Sequence, residues 1–197
     1  MGYQVITRRG YEFPEVSSAM QKSIRRADED GALYWATELD MSGFGEYVWK
    51  RLRIIASEDV GIAAAVSGTV FALYQNWIDQ RKKKDKNHAP ERLFLVHAVI
   101  LLCRSKKSRI VDHALITYYH GNLPKRPIPD YALDKHTPKG RARGRSWDHF
   151  WTEGTKLVNS ELPDPYLDSA KEATTGIAPT TLFVEDTDEN PEEGGGS

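Results

Sequence analysis

Between Phe13 and His120 apolar residues return every three or four positions, the repeat of a helix that buries one face. Val16, Met20 and Ile24 mark a first helix, with Pro14 suited to its opening turn. Asp28 to Asp30 offer capping oxygens and early negative charge to a second, whose stripe is Ala32, Leu33, Ala36 and Leu39. Ser42-Gly43 interrupts the pattern, and Phe44, Val48, Leu52 and Ile55 carry a third helix towards Gly61. Val66, Val70, Leu73 and Trp77 define a fourth, which ends in the charged run RKKKDKNHAP. The fifth, from about Glu91 to Arg104, is apolar around most of its circumference and is expected to be the most buried. A sixth is expected to turn Ile110, Ala114 and Tyr118 inward and to end at His120-Gly121. The fold class predicted is all-α, a compact bundle of about six helices.

After Gly121 the pattern breaks. Residues 121–145 contain four prolines and predict an extended strap, followed by a short helix capped by Ser146 that bears Trp147, Phe150 and Trp151. From about Glu161 the chain is acidic and proline-punctuated, the composition of a disordered tail. The expected organisation is therefore a leader over 1–13, a helical domain over 14–160 that includes the strap, and a tail over 161–197.

Charge changes this picture. The 197 residues carry a net charge of -1, which taken alone argues against a nucleic-acid partner. Residues 81–145, however, hold 17 Lys/Arg against 5 Asp/Glu, and residues 146–197 hold 2 against 12. A basic middle and an acidic tail cancel. No stretch reaches the roughly 18 apolar residues of a membrane span, and MGYQVITRRG lacks a signal-peptide core, so a cytoplasmic protein with no membrane partner is expected. The single cysteine, Cys103, excludes an internal disulfide and a cysteine-based zinc site and reads as a buried thiol.

Searches for chemistry give little. No G-x-x-x-x-G-K-[ST] phosphate cradle occurs, and the six histidines form no tight metal-ligand spacing, so neither catalytic residues, metal nor cofactor is expected. Glu58 and Asp59 are adjacent carboxylates at a helix junction, able to hold a metal, act as a base, or pair with an arginine and cap a helix. The strap offers a nucleic-acid candidate: Lys135, Lys139, Arg141, Arg143 and Arg145 to follow phosphates, and Trp147 to stack on an unpaired base of forked or single-stranded DNA. The competing reading pairs these arginines with the acidic tail or a protein, with the aromatics fixing the strap to the bundle.

Three ordered blocks carry a resemblance. They are Lys22-Ser23-Ile24-Arg25; Ala32-Leu33-Tyr34-Trp35; and Arg51-Leu52 with Ala56-Ser57-Glu58-Asp59-Val60-Gly61. Together with Lys107-Ser108 after the apolar run VHAVILLC, they resemble the C-terminal region of the RarA/MgsA family of AAA+ ATPases, clamp-loader relatives that act at stalled replication forks. The resemblance covers residues 14–120 best. It implies a collar-like all-α region that assembles subunits, usually four, and it places Lys22, Arg25, Tyr34, Trp35, Arg51, Ser57, Glu58 and Asp59 in an assembly or core motif. It also implies partners among AAA+ ATPases or replication proteins, in DNA replication, recombination and repair. The family's ATPase module has no counterpart in these 197 residues, so the expectation is a non-enzymatic domain, either separately encoded or a fragment of a longer chain. The alternative is an adaptor or inhibitor that grips a clamp loader or AAA+ ATPase through its collar surface without touching DNA.

Overall fold

A computed structural model describes residues 5–82, 89–158 and 162–176. The chain divides into two compact units, Met1–Leu123 and Pro124–Ser197, so the boundary falls inside the expected helical domain. The described residues are helix, turn and, over 122–129, irregular chain, apart from one antiparallel bridge between Ile6 and Glu12.

The first unit holds α1 (Phe13–Arg25), α2 (Glu29–Leu39), α3 (Gly45–Ile55), α4 (Ser67–Lys82), α5 (Glu91–Arg104) and α6 (Ile110–Leu115). Pro14 stands in the first turn of α1, and the Asp28 side chain caps α2 by accepting from the Gly31 amide. The chain kinks through a wide turn at Asp40–Phe44, where Gly43 has φ 88°, before α3 begins. Val16, Met20, Ile24, Ala32, Ala36, Leu39, Val48, Leu52, Ile55, Val70 and Trp77 lock into one core, as their spacing predicts. Each large apolar side chain so buried contributes about 1.5–3 kcal/mol. Trp49 lies fully inside it, with its ring centroid 5.9 Å from that of Trp77.

Four expectations change. Residues 5–13 of the expected leader fold onto the first unit: Thr7 is buried, and the bridge at Ile6 turns residues 5–12 back on themselves. The fifth helix is buried on one side only, through Leu95, Ala98, Val99, Leu102 and Cys103, while Leu93 is 69% exposed. The sixth departs furthest. Ile110, Ala114 and Tyr118 all face outward, because α6 rests by one edge on the turns Ala56–Val60 and Gly61–Ala63 that follow α3 and, among the described residues of this unit, has no neighbour on its outer side. Gly61 permits that approach: it has φ 53°, and a Cβ there would stand 3.0 Å from Val111 Cγ2.

The fourth change concerns the second unit. The strap folds into a turn over Asp130–Ala132 and a short helix, α7 (Pro138–Ala142), rather than remaining extended throughout. Thr137 caps α7 by accepting from Gly140 N at 3.0 Å, and the backbone closes so tightly that a Cβ on Gly140 would lie 1.7 Å from the Asp134 carbonyl oxygen. Next come α8 (Trp147–His149), prolonged by the turn Phe150–Gly154, and α9 (Leu167–Ala173). Residues 162–176 of the expected disordered tail thus include a helix; the remainder, 161 and 177–197, lies outside the described residues.

Candidate functional site

The signature carboxylates sit where three segments meet. Asp59 is fully buried and accepts from Arg25 Nε at 2.6 Å and from Gln21 Nε2 at 3.1 Å. Glu58 accepts from Arg25 Nη2 at 3.1 Å, and Arg109 approaches both carboxylates at 3.8 and 4.0 Å. Arg51 donates to Gln21 Oε1 and completes the group. The hydrogen bond that it donates to Asp59, outweighing burial, holds the Arg25 guanidinium above its ordinary pKa. Donors from α1 thus reach both Asp59 carboxylate oxygens and tie that helix to the turn after α3. Among the described residues no three His, Cys, Asp or Glu side chains converge to hold a metal.

The Lys107-Ser108 block meets the same joint. Ser108 N donates to the Asp59 carbonyl at 2.9 Å, and Lys107 Nζ reaches the carbonyls of Leu102, Cys103 and Ser105 at 2.7, 2.9 and 2.7 Å. An ammonium there satisfies the orphan carbonyls and the negative end of α5. Burial pushes the Cys103 thiol up to about 11, so it is an inert core group. Trp35 is half-buried between Tyr11 and Tyr34, at 5.4 and 4.7 Å between ring centroids, and the Tyr34 and Tyr11 hydroxyls share a hydrogen bond at 3.2 Å. Lys22 and Ser57 are exposed.

Sequence reasoning missed Glu38. It is fully buried in α2 and accepts from Arg9 N at 3.1 Å and Arg9 Nη1 at 3.0 Å, with Arg8 Nε at 3.5 Å. Burial raises its pKa, but hydrogen bonds from Thr7, Arg9 and Arg8 outweigh that and hold it below the ordinary carboxylate value. Nothing in the local pattern of α2 marks it, since its donors come from Arg8 and Arg9, about 30 residues away in sequence.

Beside the joint runs an open groove of about 580 Å³, floored by Ile54, Val111 and Leu115 and edged by Lys50, Arg53 and Glu58. It continues into the bare face of α6 and the turn after it. There Ile110 is 59% exposed, Leu115 and Ile116 50% each and Tyr119 83%.

In the second unit the proposed phosphate contacts separate. Arg143 and Arg145 both bind the Asp130 carboxylate, at 2.7 and 2.6 Å, and Arg141 Nη1 donates to the His136 carbonyl at 3.1 Å. Together with exposed Lys139, these groups line the surface of one closed turn. Lys135 does not join them: it is 0% exposed, and its Nζ lies 3.2 Å from the Trp147 ring centroid and 5.6 Å from that of Phe150. Its placement among the phosphate contacts is therefore corrected, because aromatic faces take up the ammonium inside the unit. Trp147 is half-buried, packed on Lys135, Phe150 and Trp151.

Comparison with known proteins matches residues 26–155 to the family described as MgsA AAA+ ATPase C terminal. The chain is 31% identical over 164 residues to replication-associated recombination protein A of Bacillus subtilis (strain 168), covering 77% of this chain and 36% of that protein. It is 32% identical over 130 residues to the protein of the same name from Haemophilus influenzae, covering 66% and 27%. An uncharacterized AAA domain-containing protein of Mycobacterium tuberculosis is 28% identical over 168 residues, covering 82% and 36%. The chain thus spans about a third of the length of these relatives. Its ordered motifs, the joint they build around Asp59 and the match over residues 26–155 agree: the chain belongs to the MgsA AAA+ ATPase C-terminal family.

Proposed function

We propose that this chain is a non-enzymatic assembly domain that joins copies of itself, and through its second unit binds DNA, in replication-associated recombination. The observation that carries the assembly half is the bare apolar face of α6 and its following turn. Left in water with about half of each side chain uncovered, Ile110, Leu115 and Ile116 forgo roughly half of the about 1.5–3 kcal/mol that full burial of each contributes. Covered by a second copy, the three offset part of the roughly 4–15 kcal/mol that association costs. The family resemblance favours a tetramer, acting in the cytoplasm with AAA+ ATPase or replication partners. The DNA half rests on the turn that presents Lys139, Arg141, Arg143 and Arg145.

Light scattering on the full chain tests assembly. An oligomer that falls to monomer on Leu115→Asp with Tyr119→Asp, while the helical signal stays, supports it; a monomeric unaltered protein at tens of micromolar overturns it. Binding of single-stranded and forked DNA should weaken steeply with salt and be lost when Arg141, Arg143 and Arg145 are changed together to Glu. No binding at low salt, or salt-insensitive binding, overturns the DNA half and leaves the adaptor reading, which co-elution with an AAA+ ATPase would establish.

A further inference from the structure

The second unit contains a cleft that the basic turn does not use. It measures about 560 Å³, within the range of sites that hold small ligands, and lies between α8 with its following turn and α9. Its walls are Trp147, Trp151, Asp148, Lys171, Thr174 and Thr175. The two indoles are one helical turn apart and nearly parallel, with 21° between planes and 6.2 Å between centroids. Both are fixed. The Lys135 ammonium lies over the face of Trp147, 3.2 Å from its centroid, and Trp151 Nε1 donates to Thr174 Oγ1 at 2.9 Å. Rigid aromatic faces in an open cleft cost little ordering when a flat ligand arrives.

The chemistry around them narrows the ligand. A flat π-system stacks on an indole whatever its sequence identity. Lys171 supplies a cation at the rim, suited to a phosphate joined to that ring, and the Asp148 carboxylate can only accept hydrogen bonds. We propose that this cleft holds one unpaired base of single-stranded DNA, stacked on the Trp147–Trp151 ladder, with Lys171 on the adjoining phosphate and Asp148 accepting from an exocyclic amine of the base. The inference rests on the DNA reading of the second unit and specifies what that unit reads. It also makes Lys135 a positioning residue, one that presses Trp147 into place. Asp148 makes the site selective, since cytosine offers a 4-amino donor where thymine offers a carbonyl.

Anisotropy titrations of the full chain with labelled oligo(dC) and oligo(dT) of equal length test this. Oligo(dC) should bind several-fold more tightly, and Asp148→Ala should erase the difference. Trp151→Leu, which keeps apolar bulk but removes the stacking face, and Lys171→Glu, a change at an exposed position, should each weaken oligo(dC) binding about tenfold. Circular dichroism on each variant guards against simple unfolding, and Lys171→Glu carries the test if Trp151→Leu does not fold. Equal affinity for the two oligonucleotides, or unchanged binding in Lys171→Glu, overturns the cleft proposal while the Arg141, Arg143 and Arg145 result stands independently. Absence of any oligonucleotide binding by the unaltered chain overturns both.

Discussion

Each unit buries a charge, and the two do so by opposite means. In the first, Asp59 meets Arg25 and Gln21 through directed hydrogen bonds, inside a core of large aliphatic and tryptophan side chains. In the second, the Lys135 ammonium makes no hydrogen bond among the described residues and instead lies against the faces of Trp147 and Phe150. The contrast follows from what surrounds them. A joint of three segments can bring donors from separate helices, whereas a short unit with Leu133 as its one buried aliphatic residue among those described has aromatic surface to offer. A hydrogen-bonded charge fixes geometry and fails sharply; a charge on a ring face tolerates exchange.

Four substitutions test that difference, in descending order of expected effect. Asp59→Ala takes the acceptor from Arg25 Nε and Gln21 Nε2, with Glu58 still holding Arg25 Nη2, and should cost about 3 kcal/mol in urea unfolding of the first unit. A loss below about 1 kcal/mol would remove Asp59 from its structural role. Gly140→Ala drives a methyl into the Asp134 carbonyl and should cost about 1–3 kcal/mol. The loss should be confined to the second unit, so the tyrosine and tryptophan signals from the two units would separate in a melt.

Glu38 extends the hydrogen-bonded side of the comparison to pH. Its folded pKa is depressed below the ordinary 4.5, so its contribution is complete above that value and fades as pH falls through the lower, folded value. Thermal melts from neutral pH down into the acid range should show a smaller acid-side drop for Glu38→Gln than for the unaltered chain; identical acid limbs would contradict the assignment. The smallest change is expected for Lys135→Met, which keeps the length of the side chain and drops the charge. Stability should stay within about 1 kcal/mol or rise, since replacing a buried charge by an apolar group of similar volume is often neutral. A loss above about 2 kcal/mol would instead show that the ring-face contact holds the second unit together.

Much of this was legible in the chain. The stripes of α1 to α4, the Asp28 cap and the inert Cys103 follow from spacing and residue type, because a helix turns periodicity directly into a face. The Lys-Ser and Ser-Glu-Asp blocks could be recognised without their partners. Which arginine met Asp59 could not, because Arg25 lies 34 residues before it and Arg109 approaches from the far side of two further helices. Glu38 was invisible for a related reason: its burial depends on residues 7–9 folding back.

The division is sharpest between α5 and α6. Both read as apolar helices, and local sequence fixes that much: their residues favour helix and would leave water wherever a neighbour allows. Only tertiary structure decides whether a neighbour exists. For α5 it is α4 and α2; for α6 it is a single edge against the turns after α3, and the rest of its apolar face is left bare. Likewise the sequence determined that residues 135–147 hold cations and aromatics together, while the fold decided which cation turned inward. Lys135 alone among them falls against a ring face, and burial follows from that approach rather than from its type.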